Sequence, residues 1–328
     1  MTELIPSPES GAVRLLPAGA QVVVPALFAG AGDRGAWRYV EFLTAEIRNP
    51  NTRAAYARAL HRFSDWCQAH HFRLEHLTPV HLAIYVEYLG RRLAKPSVKQ
   101  HLAAVRMLGD YLVLGQVITA NPTASVRGPK YVVKTGKTPV LTRAEARALL
   151  EGIDGGRVAD LRDRALIGLM VYTFARVGAV LGMDVGDYYQ QGKRWWVRLH
   201  EKGGKEHAVP CHHKVEGYID AYLTGAGLAA ATTGPLFRRL GRDGQLGAGR
   251  LDRREALAMI KRRARAAGLG DRIGCHTFRA TGITAYLENG GTLETAMAIA
   301  AHESPRTTKL YDRTRDGLTL EEIERIRL

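Results

Sequence analysis

The chain has 328 residues, 46% hydrophobic and 24% charged, enough for two ordinary soluble globular domains. Lysine and arginine number 47 against 32 acids, a formal net charge of +15, which points to a polyanionic partner and away from acidic-protein functions. Cys67, Cys211 and Cys275 form no CxxC pair, so neither a disulfide framework nor a cysteine zinc site is expected, and no run reaches the ~18 apolar residues of a membrane span.

Residues 1–32 read as a flexible tail, since Pro17 and Pro25 interrupt their apolar stretch and Arg14 sits inside it. A helical domain is expected over 33–126. Asn51-Thr52 offers a helix start, and Tyr56, Leu60, Phe63 and Cys67 then fall on one face. Arg53, Arg58 and Arg62 lie off that stripe and could meet phosphate. Thr78-Pro79 is another start signal, with Val80, Ile84, Val86 and Leu89 expected to carry that helix. A further helix is expected from Ser97 to Leu114, with Leu102, Val105, Leu108 and Leu112 buried.

Residues 127–138 are basic, contain glycine and proline, and lack helical period; they read as an interdomain linker that includes Lys130. The second domain is expected over 139–316. Thr142 followed three residues later by Glu145 is a capping box. Asp160 to Val180 reads as one long helical zone. Trp195, Val197 and Leu199 alternate with Trp196, Arg198 and His200, a strand; Lys202-Gly203-Gly204-Lys205 turns the chain into a second strand, His207 to Pro210. The fold expected is mainly α with a small antiparallel β-sheet in the catalytic domain, the two domains forming a clamp on DNA.

Four separated elements carry polar residues suited to one reaction: Arg176 within Phe174–Leu181, Lys202 in the hairpin turn, His276-Thr277-Phe278-Arg279, and His302 followed by Tyr311. Each alone has a plainer reading. An isolated H-x-x-R merely puts two residues on one helix face, Arg176 would be a surface charge, Lys202 and Lys205 solvated turn lysines, and Tyr311 a packing tyrosine with a wet hydroxyl. Together, in this order, they resemble the tyrosine recombinase/integrase family, the group of Cre, lambda integrase and the Xer recombinases. The nine residues from His302 to Tyr311 match the family's spacing. Residues 142–313 carry the resemblance; residues 33–120 resemble the family's helical, SAM-like core-binding domain less specifically.

The resemblance implies a site-specific recombinase that cleaves and rejoins DNA through a 3′-phosphotyrosyl intermediate, with Tyr311 as nucleophile. Two guanidinium forks, Arg176 and Arg279, suit the charge that builds on the non-bridging phosphate oxygens. Losing such a donor typically costs roughly 3–4 kcal/mol of transition-state stabilisation. A tyrosine hydroxyl has a pKa of about 10 and needs a base, for which the resemblance supplies His276. It makes Lys202 the acid that protonates the departing 5′ oxygen, with Lys205 the alternative, and has His302 hydrogen-bond the phosphate. It implies neither metal nor ATP, in keeping with the lack of a Walker glycine loop or an acidic cluster. Members often carry Glu three residues after the first arginine, where this chain has Ala179; altered hydrogen bonding is expected there rather than loss of activity. Ala301 stands where a glycine is common, and little effect is expected.

Arg238 to Arg265 holds ten basic residues: Arg238, Arg239, Arg242, Arg250, Arg253, Arg254, Lys261, Arg262, Arg263 and Arg265. Read as a DNA-docking helix, it would track the backbone or enter the major groove; the plainer reading is a solvated face. Residues 317–328 read as a short amphipathic tail helix that either covers its own core or docks on a neighbouring protomer. The implied partners are double-stranded DNA with specific recombination sites, a homotetramer on synapsed DNA and an accessory DNA-bending or directionality protein. No membrane is involved, and the location is cytoplasmic and nucleoid-associated. A type IB topoisomerase-like DNA relaxing enzyme and a non-catalytic DNA-binding regulator are the competing readings.

Overall fold

The computed structural model describes residues 4–6, 13–15, 22–132, 136–201, 204–241 and 243–312. Lys202, Arg242 and the expected tail helix 317–328 lie outside the described residues. The chain divides into two compact units, Met1–Val132 and Val133–Leu328.

The first unit opens with three short antiparallel strands, β1 (Leu4–Pro6), β2 (Val13–Leu15) and β3 (Val22–Val24). Five helices follow: α1 (Ala26–Ala29), α2 (Gly32–Glu41), α3 (Pro50–Ala69), α4 (Pro79–Gly90) and α5 (Lys95–Leu114). For residues 24–32 the expectation of a tail is corrected here. Val24, Leu27 and Phe28 are buried in the helical core, Leu27 N–H donates to Ser64 Oγ at 3.1 Å, and Phe28 stacks on Tyr39. These apolar side chains gain more from burial, roughly 1.5–3 kcal/mol each, than a solvated tail would.

Helix α3 starts earlier than expected, because Asn49 caps it by accepting from Asn51 N–H and Thr52 N–H, with Pro50 at the first helical position. Its stripe is as expected, with Leu60, Phe63 and Cys67 buried. Helix α5 likewise buries Leu102, Val105, Leu108 and Leu112. In α4 the buried face is Leu82, Tyr85 and Leu89, while Val80 and Ile84 are 66% and 48% exposed. Aromatic packing selects that face: Tyr85 lies 4.9 Å from Phe63 and 5.1 Å from Trp66, centroid to centroid.

The second unit contains α6 (Arg143–Glu151), α7 (Val158–Tyr172), α8 (Val177–Gly182), α9 (His213–Gly225), α10 (Arg253–Ala266), α11 (Cys275–Glu288), α12 (Leu293–Ile299) and α13 (Pro305–Lys309). The Thr142–Glu145 capping box starts α6. One sheet has the order β4 (Tyr188–Gln191), β5 (Arg194–His200), β6 (Glu206–Pro210), and a separate hairpin pairs β7 (Arg238–Leu240) with β8 (Leu246–Arg250). Val197 and Leu199 of β5 are fully buried, as their alternation implies.

The expected 160–180 helix is two helices. The chain breaks between α7 and α8 at Phe174, whose φ is 54°, a left-handed conformation that a continuous helix cannot hold. Helix α7 is buried almost all round, packed by α9 and α11. Gly282 permits the α11 approach, since a Cβ there would fall on the Val171 carbonyl oxygen.

A buried ion network joins α7 to α10 and β7. Asp163, fully buried, accepts from Arg162 Nη2 at 2.7 Å and from Arg263 Nη2 at 2.8 Å. Arg263 also reaches Asp160 at 2.5 Å, and Arg162 Nη1 donates to the Arg238 carbonyl at 3.0 Å. Burial pushes the Asp160 carboxyl up, but hydrogen bonds from Arg157 and Arg263 outweigh it and hold the group below its ordinary value. Asp163→Ala leaves the buried Arg162 without a counter-charge and Arg263 with Asp160 alone, so it should destabilise the protein by about 3–5 kcal/mol in denaturant unfolding; a loss below about 1 kcal/mol would contradict this account.

Candidate active site

The site is assembled from chain ends rather than from one element. Arg279 lies on α11, one turn after His276 at the helix start, so both point to the same side. Its guanidinium is 1% exposed, with Nη1 donating to the Phe174 carbonyl and Nη2 to the Ala300 carbonyl, the latter at 2.7 Å. Burial and then the nearby Arg176 charge push its pKa down to about 10, so it stays charged at neutral pH. Tyr311 acts on the same guanidinium and favours its charged form.

Arg176 is the N-cap residue of α8, two residues after the Phe174 kink. Nη1 meets Glu201 Oε2 at 2.5 Å. Glu201 follows β5 directly, and its N–H donates to the Lys205 carbonyl at 2.8 Å, closing the hairpin turn that contains Lys202. Lys205 is exposed in the same turn.

His302 follows α12 through a Schellman turn. His302 N–H bonds the Met297 carbonyl, Ala301 N–H bonds the Ala298 carbonyl, and Ala301 takes φ 47° between them. Glycine is favoured at that place because a Cβ in the left-handed region costs roughly 1–2 kcal/mol, so the small effect expected of Ala301 is corrected to backbone strain. His302 is buried, and Nδ1 lies 2.8 Å from Thr308 Oγ1. Burial, then Arg279 and Arg176, push its pKa down to about 3. His276 is also held below its ordinary value, by desolvation first and then by the same two arginines. Both imidazoles are therefore neutral at pH 7.

Ser304 holds the N-cap position of the short α13 without a side-chain capping bond, and the Tyr311 ring after that helix stacks against His302 at 6.0 Å and 8°. Thr284 Oγ1 donates to the Tyr311 carbonyl at 2.9 Å, tying that main chain to α11. His207 Nε2 lies 3.0 Å from the Ile299 carbonyl, joining β6 to the end of α12. Arg176, His276, Arg279, His302 and Tyr311 thus come together. Glu201, Thr308 and His207 were not singled out from sequence; only Glu201 carried a signal, as an acid beside the turn lysine.

The basic residues expected to meet DNA divide. Arg58, Arg62, Lys130, Arg254 and Arg262 are exposed. Arg253 is exposed too, with its guanidinium against Gly178, beside Arg176. The remainder make bonds within the protein. Arg250 bonds the Leu181 and Met183 carbonyls, both at 2.7 Å, and Asp184 at 2.6 Å, closing the end of α8. Arg263 belongs to the buried ion network, Lys261 donates to the Asp271 carbonyl, and Arg53 holds the Ile47 carbonyl at 2.9 Å. The 238–265 stretch is a β-hairpin followed by α10, not one docking helix, because Gly247 and Gly249 alternate within an extended strand. Among the described residues no group of His, Cys, Asp and Glu could hold a metal ion, and no helix is long and apolar enough to cross a membrane.

Residues 139–317 match the Phage integrase family, and residues 37–116 match the Phage integrase, N-terminal SAM-like domain. Similar proteins include tyrosine recombinase XerD of Mycobacterium leprae, 31% identical over 232 residues, covering 67% of this chain and 70% of the relative. Tyrosine recombinase XerD of Corynebacterium glutamicum is 29% identical over 273 residues, covering 80% and 86%. Among solved structures, XerH site-specific recombinase in a post-cleavage complex with palindromic difH substrate matches with a TM-score of 0.66 at 20% identity, over 92% of this chain and 96% of that one. A lambda integrase tetramer bound to a Holliday junction matches with a TM-score of 0.60 at 17% identity, over 86% and 78%. The chain belongs to the phage integrase family and is a tyrosine site-specific recombinase.

Proposed function

We propose that this recombinase exchanges strands at specific duplex sites through a 3′-phosphotyrosyl link to Tyr311. The reading is carried by the placement of the Tyr311 ring, stacked on a buried neutral histidine and acting electrostatically on a buried arginine. Tyr311 Oη attacks the scissile phosphorus while its proton passes to His276. The P–O5′ bond breaks, and the departing 5′ oxygen takes a proton from Lys202, or from Lys205 if the turn presents that one. Arg176 and Arg279 hold the non-bridging oxygens. The Thr308 hydroxyl donates to His302 Nδ1, leaving the hydrogen on Nε2 for a phosphate oxygen. Attack by a 5′ hydroxyl reverses each step, so the phosphodiester energy is kept in the protein–DNA bond and religation needs no further energy source.

In this reading the helical unit is the core-binding domain, with Arg58, Arg62 and Lys130 on the backbone, and the second unit is the catalytic domain, with Arg253, Arg254 and Arg262 near the duplex. Strand exchange requires two sites and four active tyrosines, so a homotetramer assembles on synapsed DNA; the likeness to a tetrameric lambda integrase supports that assembly. Its place of work is the nucleoid.

A duplex selected from a randomised pool by binding to the protein, then nicked as a suicide substrate, tests the chemistry. Wild type should form a covalent adduct and Tyr311→Phe none; tight binding by wild type without an adduct would defeat the proposal. At DNA below saturation the adduct rate should hold as pH falls to 6.5 and decline only below it, since His276 titrates below its ordinary 6.5 and must be neutral to act as base. A decline centred above 6.5 would remove His276 from that role. Thr308→Val keeps the volume but strips His302 Nδ1 of its partner, so unfolding should show a loss of about 1–3 kcal/mol and the adduct rate should fall; unchanged values of both would mean the contact does not orient the ring.

A further inference from the structure

One carboxylate sits among the cations of the site. The Glu201 side chain is 4% exposed, and its partner Arg176 is 36% exposed. A carboxylate that deep needs a partner, because desolvation costs several kcal/mol when the charge is left unpaired. Glu201 also acts on Arg279, raising its pKa against the lowering by burial and by Arg176. Tyr311 acts on Arg279 in the same sense and more strongly, and Glu201 is the carboxylate that joins it in offsetting the repulsion between the two guanidinium groups. Position 179, one turn beyond Arg176 on α8, holds buried Ala179 and supplies no charge. The acid arrives instead from the end of β5, where Glu201 N–H closes the turn on the Lys205 carbonyl.

We propose that Glu201 is the positioning residue of Arg176, a carboxylate delivered from the lysine hairpin in place of one at 179, so that one ion pair sets both the aim of Arg176 and the placement of the hairpin. The proposal rests on the recombinase reading of Arg176. Glu201 occupies Nη1, leaving Nε and Nη2 as a fork for the phosphate. An arginine loosened by even an ångström loses much of its effect on the transition state while keeping its general attraction for DNA. The signature is therefore slower cleavage with little change in affinity.

Glu201→Gln keeps the size and one acceptor oxygen but removes the charge. On the nicked substrate described above, it should slow single-turnover adduct formation about tenfold, with DNA affinity within about threefold of wild type. Adding Ala179→Glu to Glu201→Gln should restore most of the lost rate. A merely structural role for Glu201 predicts no such recovery, because the restored charge comes from a different element. The proposal is overturned if Glu201→Gln cleaves at the wild-type rate, if affinity falls as much as rate does, or if the double variant is no faster than the single one. Wild type serves as the control: no adduct from it would fail the recombinase reading itself, whereas an adduct from wild type and Glu201→Gln at equal rates fails only the role of Glu201.

Discussion

The guanidinium of Arg279 holds the catalytic unit's chemistry in register. A charge this buried is tolerable only if its hydrogen bonds are made inside the protein. Two of them go to the Phe174 and Ala300 carbonyls, which belong to segments more than a hundred residues apart in sequence. Each carbonyl sits at a reversal of the chain, Phe174 itself and Ala301 next to Ala300 having left-handed φ. Arg176 follows the first reversal and His302 the second. One side chain thus locates a second arginine and a histidine through main-chain bonds, and the strain of two non-glycine residues in that conformation is held in place by the same charge.

The electrostatics follow from that arrangement. Burial first, and then the two guanidinium groups, drive protons off the neighbouring imidazoles, which keeps His276 and His302 neutral. A neutral imidazole can take a proton, which a charged one cannot, and a neutral one with Nδ1 accepting carries its hydrogen on Nε2. A phosphate brought between the arginines would relieve their repulsion, so the unliganded site stores unfavourable charge that substrate binding releases.

Much of this was legible in the chain before the structure. The grouping of Arg176, His276, Arg279, His302 and Tyr311 was, through the resemblance to the tyrosine recombinases rather than through any one residue, and the fold brings those side chains together. So were the Thr142 cap, the α5 stripe and the β5 alternation, which depend only on neighbours in sequence. Features set by distant partners were not. Arg263 and Arg254 look alike on a helix, but Asp160 and Asp163, about a hundred residues earlier, claim only the first. Phe174 has no breaker beside it, so the end of α7 is invisible until its carbonyl is seen to be needed by Arg279. In α4 two apolar stripes compete, and only the aromatic rings of α3 decide that Tyr85 goes in and Ile84 stays out.

The basic surplus is therefore a poor map of where DNA lies. Of the arginines and lysines between 238 and 265, Arg250 closes a helix end, Arg263 neutralises buried acids and Lys261 holds a carbonyl. The Arg263 charge is neutralised by buried acids, whereas Arg250 and Lys261 hold carbonyls and keep theirs; counterions are displaced only by charges that reach phosphate. Arg253 is an exposed cation whose guanidinium lies against Gly178, two residues from Arg176. Affinity for DNA in general is set by how many cations face outward, whereas the geometry of cleavage is set by the arginines that do not.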